Sequence, residues 1–226
     1  AGYYYNGSNT ANHAVTIVGW DDNYSRTNFK TQPPGDGAFI VKNSWGTGWG
    51  QSGYCYISYY DSQVASDSAV FTRAEPVNNY SRQYQYDPLG ATRWFGYGNT
   101  VCWGANIFTA SASESLGAVG FYTPIAGTRV DIYVYTGVAV GSPRSGALRT
   151  TRTATLTYAG YHTLALTAAV PVTAGQRFSV VIKFTTPNYN FPLPFECAIG
   201  GYSSRASASP GQSFYSSNGS DWTDMT

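Results

Sequence analysis

The last two thirds of this 226-residue sequence consist mostly of short runs in which apolar and polar residues alternate. Glycine and proline turns separate these runs. Val130, Ile132 and Val134 are spaced in this way, and residues 178–184 repeat the pattern. A period of two places neighbouring side chains on opposite faces of a β-strand. Short strands at this spacing, without helical periodicity, are typical of a β-sandwich or jelly roll. The sequence therefore predicts a mainly β fold.

Five further segments of this region have the residue types and the bounding turns of strands. They are residues 101–108, 116–122, 153–158, 162–166 and 196–200.

The composition excludes two classes of function. Charged residues make up 11% of the chain and the formal net charge is +1, so the protein lacks the basic surface that nucleic-acid binding needs. The sequence has no apolar run of about 18 residues, and we expect no membrane span. The polar load falls on uncharged residues, among them 25 Gly and 20 Tyr, which suit turns and pleated surfaces. Low charge of this kind fits an extracellular protein.

Residues 1–72 differ from the rest because loops rich in glycine and tryptophan separate their apolar segments. Residues 13–20 (HAVTIVGW) are predicted to form a buried strand, and residues 38–42 and 54–60 are predicted to form two more. Residues 73–86 contain a proline and lack periodicity, which predicts a linker. The second domain is then expected over residues 87–226.

A histidine and an asparagine lie near the ends of the first two predicted strands. His13 opens the first strand and Asn43 follows the second, so antiparallel pairing would bring the two side chains together. An asparagine oxygen that accepts from one imidazole nitrogen fixes the tautomer, and the other nitrogen can then face a thiol or hydroxyl. Trp45 or Trp49 beside this contact would exclude water. On spacing alone, a histidine at a strand start is more often a structural residue.

The segments NHAVTIVGWDD and GAFIVKNSWGTGWGQSGYCYI closely resemble the papain-like cysteine peptidases, over roughly residues 1–62. The family's histidine matches His13, and its asparagine, in an NSWG-x-x-WG-x-x-GY segment, matches Asn43. The resemblance implies a Cys-His-Asn mechanism, in which a thiolate attacks a peptide carbonyl and His13 protonates the leaving amine.

The same resemblance implies roles for several neighbours of this pair. Asn43 would orient the imidazole, and Trp45 would shield the His–Asn hydrogen bond from water. Trp49 would support the site, and Asn12 and Ala14 would line the substrate cleft. No cofactor is required for this chemistry.

One departure from the family concerns the nucleophile. The C-G-S-C-W-type segment that carries the catalytic cysteine is absent from this sequence. Cys55 lies between two tyrosines of the third predicted strand, and we expect it to pack in the sheet. The resemblance thus implies the C-terminal half of a peptidase domain, inactive alone, with the cysteine-bearing N-terminal half as partner and protein or peptide as substrate. A maturation cut, a sequence that begins late and a degenerate relative all stay open as explanations.

The second part has a resemblance of its own. TVCWGANIFTA, LGAVGFYTP and TAGQRFSVVIKF resemble the lectin-like domain that follows papain-type domains in some bacterial and archaeal surface proteins. This implies a jelly-roll-like sandwich, attachment to a surface or glycan, and a location outside a prokaryotic cell or on its surface. Candidate sugar-binding aromatics are Trp94, Tyr97, Trp103, Tyr122, Tyr189, Tyr202 and Trp222. The alternative for each is a place in the sandwich core or rim.

Two smaller features of the second part stay open. Asp87 and Asp131 lie near turns or strand starts, and carboxylates are the ligands of calcium, so a structural calcium site is an option. Cys102 and Cys197 are its two cysteines, but their separation in sequence does not show whether they pair.

The alternative function for the whole chain is a non-catalytic surface or carbohydrate-binding module on a degenerate peptidase scaffold.

Overall fold

A small sheet with the strand β3 near its centre organises the first part of the chain. The computed structural model describes residues 2–66, 68–72 and 74–226. The sheet contains β1 (Gly2–Tyr3), β2 (Thr16–Asp21), β3 (Ala38–Lys42) and β4 (Tyr54–Ser58). Its strand order is β1-β4-β3-β2, with β1 parallel to β4 and the other pairs antiparallel. The strand predicted at residues 38–42 is therefore found with those bounds.

The first predicted strand differs from expectation in two ways. β2 begins at Thr16 rather than at residue 13, and it is not buried. Ile17, Val18 and Trp20 are exposed, the last to 68% of its surface. β2 is the edge strand of the sheet and pairs with β3 alone. Its apolar sequence predicted burial, but its side chains are not covered by the rest of the first unit.

The long loop between β2 and β3 folds back onto the same sheet. Tyr24 stacks on Tyr56 of β4 with ring centroids 4.1 Å apart, and Phe29 is buried. A short 3-10 turn at Arg26–Asn28 is fastened by the Arg26 N–H, which donates to Asp36 at 2.8 Å. These contacts explain how a polar segment of this length stays ordered.

The second part is a β-sandwich. Its strands are β5 (Arg93–Phe95), β6 (Val101–Thr109), β7 (Glu114–Thr123), β8 (Arg129–Thr136), β9 (Ala147–Thr155), β10 (Gly160–Val172), β11 (Arg177–Thr185), β12 (Leu193–Phe195), β13 (Ser213–Ser216) and β14 (Thr223–Asp224). A six-stranded sheet has the order β14-β13-β6-β11-β8-β9, while β7 pairs with β10 and β5 with β12. The described residues contain no α-helix, and the predicted mainly β fold is confirmed.

The core of the sandwich lies between the six-stranded sheet and the β7–β10 pair. Val119 and Phe121 of β7 form one buried cluster with Ile132 of β8 and with Ile182 and Phe184 of β11. Burying such side chains stabilises a fold by about 1.5–3 kcal/mol each. The alternation that predicted these strands thus places one set of side chains in this core, while alternate residues such as Tyr135 and Val181 lie in a second buried cluster.

Two predicted strands of the sandwich are wrong in position. The strand expected at 153–158 is β9, at Ala147–Thr155, whose polar sequence gives little apolar signal. Residues 196–200 are not a strand, because the chain turns after β12. The Ser203 hydroxyl closes this turn by donating to the Cys197 carbonyl at 2.6 Å.

The chain divides into two compact units, one up to Glu75 and one from Pro76. Residue 73, where the predicted linker begins, lies outside the described residues. Tyr84 and Tyr86, within the predicted linker, belong to the second unit and pack against one of its buried clusters, where Tyr86 stacks on Phe108 at 4.7 Å. All three cysteines are free thiols. None of the described residues forms a helix long and apolar enough to cross a membrane.

Candidate active site

The register of β2 and β3 brings His13 next to Asn43. Thr16 pairs with Lys42, so the residues just before β2 lie beside those just after β3. The imidazole Nε2 of His13 is 2.9 Å from Oδ1 of Asn43. The predicted meeting of these two side chains is therefore present in the geometry.

A second hydrogen bond defines the chemistry of the pair. The backbone N–H of Ser44 donates to the same Oδ1 of Asn43 at 2.7 Å, which fixes this atom as the amide oxygen. An amide oxygen can only accept, so Nε2 of His13 carries the proton in the neutral ring. Nδ1 is then the nitrogen with a lone pair, which can take a proton from a neighbouring group.

One indole stacks on the histidine of this pair, and a second indole contacts the first. The Trp45 ring stacks on the His13 ring, with centroids 4.9 Å apart and planes 24° apart. Trp49 meets Trp45 edge-to-face at 5.1 Å. Asn43 is buried, while Trp45 keeps 59% of its surface exposed.

The loop that carries the two tryptophans depends on glycines at specific positions. Gly50 has a φ of +59°, and a Cβ there would lie 2.5 Å from the Tyr54 carbonyl oxygen. Gly53 has a φ of +91°, and its carbonyl accepts from the N–H of Asn43 at 2.9 Å. Left-handed backbone of this kind favours glycine. The glycine spacing of the motif is thus the means by which the loop returns to Asn43.

The remaining predicted site residues have different positions. Ala14 lines a groove of about 330 Å³ together with Thr16, Lys42, Asn43 and Ser44. Asn12 is exposed and lies outside that lining.

Cys55 is buried in β4, where it pairs with Val41 of β3. Burial raises the pKa of its thiol, so that the reactive thiolate is disfavoured there. This environment is that of a structural cysteine.

In the second unit the candidate aromatics separate into groups. Trp103 and Trp222 pack against one core cluster, which also contains Tyr135. The other candidates lie elsewhere or contact other rings: Tyr97 contacts Phe95, Tyr122 contacts Tyr161, Tyr189 contacts Phe191, Trp94 lies in β5 and Tyr202 is exposed. Sequence reasoning missed Arg144, whose guanidinium lies 5.7 Å from the Trp103 ring centroid. No local pattern distinguishes this arginine, because its neighbours come from distant strands.

The two aspartates considered for calcium have different surroundings. Asp131 accepts from Thr153 at 2.7 Å and pairs with Arg129 at 3.0 Å, which occupies its carboxylate. Partial burial and then the charge of Glu196 raise the pKa of Asp87. Within the described ranges no three His, Cys, Asp or Glu side chains cluster as a metal site. The calcium site stays a prediction.

Comparisons with known proteins address the same two parts of the chain. The family model described as papain family cysteine protease matches residues 1–72, and the one described as lectin like domain matches residues 83–226. A cysteine proteinase of Carica papaya is 33% identical over 75 residues, which span 30% of this chain and 74% of that protein. The chain belongs to the papain family of cysteine proteases. Its larger part is a lectin-like domain.

Other relatives of this papain-family chain are longer than the chain. Fruit bromelain of Ananas comosus is 38% identical over 74 residues, which cover 30% of this chain and 18% of bromelain. The structure of a variant of the clostridial cysteine protease Cwp84 after propeptide cleavage matches 95% of the chain, with a TM-score of 0.74 and 27% identity. The cysteine protease and lectin-like domains of Cwp84, a surface layer associated protein of Clostridium difficile, match with a TM-score of 0.70 and 28% identity. The chain spans 53% and 48% of these two structures.

Proposed function

We propose that this chain supplies the histidine and asparagine of a cysteine endopeptidase whose nucleophilic cysteine lies on a segment outside residues 1–226. The observation that carries the proposal is the hydrogen bond from His13 to Asn43, covered by the stacked Trp45 ring. This hydrogen bond holds the imidazole through Nε2 and leaves the lone pair of Nδ1 available. A base that activates a thiol requires such a free nitrogen.

The mechanism follows from the tautomer. Nδ1 of His13 takes the proton of the cysteine thiol, and the thiolate attacks the peptide carbonyl carbon. The imidazolium then returns that proton to the leaving amine as the C–N bond breaks, which leaves an acyl-enzyme. A water molecule, deprotonated by the same Nδ1, attacks the thioester and releases the acid product and the free thiol. Throughout, Asn43 accepts from Nε2 and holds the plane of the ring.

The surface of the first unit supports a partner that carries the cysteine. Ile17, Val18 and Trp20 of β2 are exposed apolar side chains on an edge strand. Several exposed apolar side chains on one short strand are typical of an interaction site. Two of the three cysteines of the chain do not suit the role, because Cys55 and Cys102 are buried and burial raises the pKa of both thiols.

For the lectin-like domain the proposed role is attachment to a surface or a glycan, outside the cell. The support is the family match over residues 83–226 and the similarity to a surface layer associated protein. The alternative for the whole chain is a non-catalytic surface or carbohydrate-binding module on a degenerate peptidase scaffold. The observation that favours that alternative is the burial of Cys55, which is the cysteine of the first unit and packs in its sheet.

An experiment with a covalent inhibitor separates these two functions. The natural preparation that contains this chain is incubated with an epoxysuccinyl cysteine-peptidase inhibitor, and intact masses are measured after denaturation. We expect one adduct, on a cysteine outside residues 1–226, and its loss in His13→Ala but not in the control His162→Gln. His162 is a suitable control because its ring bonds to the Tyr158 carbonyl and Thr123 of the second unit.

Two results would count against the proposal. Adduct formation on Cys55, Cys102 or Cys197 would show that the nucleophile is misassigned. A preparation that forms no adduct, yet binds glycans or cell surfaces, would establish the non-catalytic alternative.

A further inference from the structure

A pocket in the lectin-like unit lies between two loops and has a volume of about 760 Å³. One loop joins β8 to β9 and contributes Arg144, and the other joins β13 to β14 and contributes Gly219, Asp221 and Trp222. Tyr135 of β8 also lines it. We call this the Arg144 pocket. Its volume is within the range of small-molecule sites, about 300–1,000 Å³.

Arg144 is held in place before any ligand arrives. Its Nε donates to the Tyr135 hydroxyl at 3.0 Å, and its Nη1 donates to the Gly219 carbonyl at 2.7 Å. The guanidinium carbon lies between 5.7 and 5.9 Å from the ring centroids of Trp103, Tyr133 and Tyr135. A guanidinium has more N–H groups than these two bonds use, so donors remain for a ligand.

The loop that carries Asp221 is also fixed by its own hydrogen bonds. The Ser216 hydroxyl accepts from the N–H groups of Asn218 and Gly219, at 3.2 and 2.9 Å. Oδ1 of Asn218 accepts from the N–H of Asp221 at 3.0 Å, and its Nδ2 donates to Asp221 Oδ2 at 2.8 Å. The carboxylate is therefore positioned without a ligand, which reduces the entropy lost on binding.

Gly219 brings this loop against the aromatic cluster. Its φ is +75°, and a Cβ at this position would lie 2.7 Å from an atom of the Trp103 ring. Only glycine fits so close to the indole, and this approach places its carbonyl within reach of Arg144. Trp222, three residues on, packs against the same core cluster and remains half-buried at the pocket wall.

We propose that the Arg144 pocket binds a neutral pyranose residue of a glycan, an inference that rests on the proposed attachment role of this domain. An indole offers a face for the C–H groups of a sugar ring, while a carboxylate accepts from hydroxyls and a guanidinium donates to them. The charges of Arg144 and Asp221 balance, which favours a neutral sugar over an anionic one. The candidate Tyr202, by contrast, is 78% exposed and lies outside this pocket.

The test uses the full chain and a panel of methyl glycosides: glucoside, galactoside, mannoside and N-acetylglucosaminide. A single sugar in an open pocket is expected to bind with a Kd of about 1 mM, so titration to about 50 mM approaches saturation. The indole N–H signals of the six tryptophans report the location by NMR. We expect one or more glycosides to shift the signals of Trp222 and Trp103 and to leave those of Trp20, Trp45 and Trp49 in place.

Variants connect the signal to the pocket. Asp221 is exposed, so Asp221→Ala is expected to keep the fold and to weaken binding about tenfold or more, since a charged hydrogen bond is lost. Trp222→Phe keeps an aromatic ring against the core and is expected to weaken binding by a smaller factor. Tyr202→Ala is the matched control and should bind as the parent chain does. An unchanged melting temperature separates loss of binding from loss of fold.

Each remaining outcome overturns a defined part of the inference. Binding that shifts other tryptophans, or that survives Asp221→Ala, overturns the Arg144 pocket while glycan attachment stands. If none of the glycosides binds, the pocket and the glycan role both fail, and the peptidase proposal is decided separately by its inhibitor test.

Discussion

Asn43 Oδ1 accepts two hydrogen bonds at once, from Nε2 of His13 at 2.9 Å and from the backbone N–H of Ser44 at 2.7 Å. The second bond prevents the amide from turning, so the first can hold only one tautomer of the imidazole. Asn43 is thereby a positioning residue, which acts through His13.

The first prediction concerns this division of roles in the enzyme that contains the chain. His13→Ala removes the proposed base and should abolish turnover. Asn43→Ala removes the hydrogen bond to the His13 imidazolium that forms during the reaction. A hydrogen bond to a charged group is worth about 1.5–3 kcal/mol, so kcat/KM should fall about 10- to 100-fold. Steady-state kinetics on both variants measures the difference.

A spectroscopic readout separates positioning from a structural effect. In the parent protein the ring ¹⁵N shifts of neutral His13 should show the proton on Nε2, and Asn43→Ala should produce a mixture of tautomers. Asn43→Gln can restore the acceptor but not its position. Equal losses of activity for the His13 and Asn43 variants, or an unchanged tautomer in Asn43→Ala, would contradict the assigned role.

The second prediction tests the glycine spacing of the tryptophan loop. Gly50→Ala should destabilise the first unit by about 2 kcal/mol or more, because left-handed backbone costs about 1–2 kcal/mol and the new Cβ meets the Tyr54 carbonyl. Gly48→Ala is the control, since its φ is ordinary and no atom lies within 4 Å of the added carbon. Thermal unfolding of the two variants compares them, and similar melting temperatures would show that the loop relaxes.

How far the sequence predicts this structure depends on how local each determinant is. β3 and the His13–Asn43 contact were predictable, because strand bounds and register follow from neighbouring residues. The exposure of β2 was not predictable, because the burial of an edge strand depends on what packs against it and not on its apolar sequence. The Arg144 pocket was not predictable either, although its two tryptophans were candidates. It forms only when strands far apart in sequence bring Trp103, Arg144 and Trp222 to one cluster.

The third prediction concerns thiol reactivity in the native chain. Burial raises the pKa of Cys102 to about 11, so about one thiol in a thousand is ionised at about pH 8. Burial also raises the pKa of Cys55, whereas Cys197 is only half-buried. Iodoacetamide should therefore label Cys197 first, and Cys102 only at alkaline pH or after unfolding.

Peptide mapping over time measures these rates, with denatured chain as the control in which all three thiols react alike. Rapid labelling of Cys55 in native protein would contradict its assignment as a packed sheet residue. It would also reopen Cys55 as a nucleophile.

The last prediction concerns the pH dependence of stability at Asp87. Partial burial, and then the negative charge of Glu196, raise the pKa of Asp87 in the folded protein. The folded state therefore holds this proton more tightly than the unfolded state, whose aspartate pKa is about 3.9. Ionisation costs stability once the pH rises above that unfolded value, and the cost is complete above the folded pKa. Asp87→Asn removes the charge and should stabilise the second unit near pH 7.

The size of this effect is limited because Asp87 is only partly buried and solvent screens its charge. We expect less than about 1 kcal/mol, or a few °C in melting temperature. The gain should disappear below about pH 4, where the carboxyl is protonated in both states. Calorimetry at both pH values tests this, with Asp221→Asn as the control because its carboxylate is exposed. A gain that persists at the lower pH would show that shape or hydrogen bonding, and not charge, is responsible.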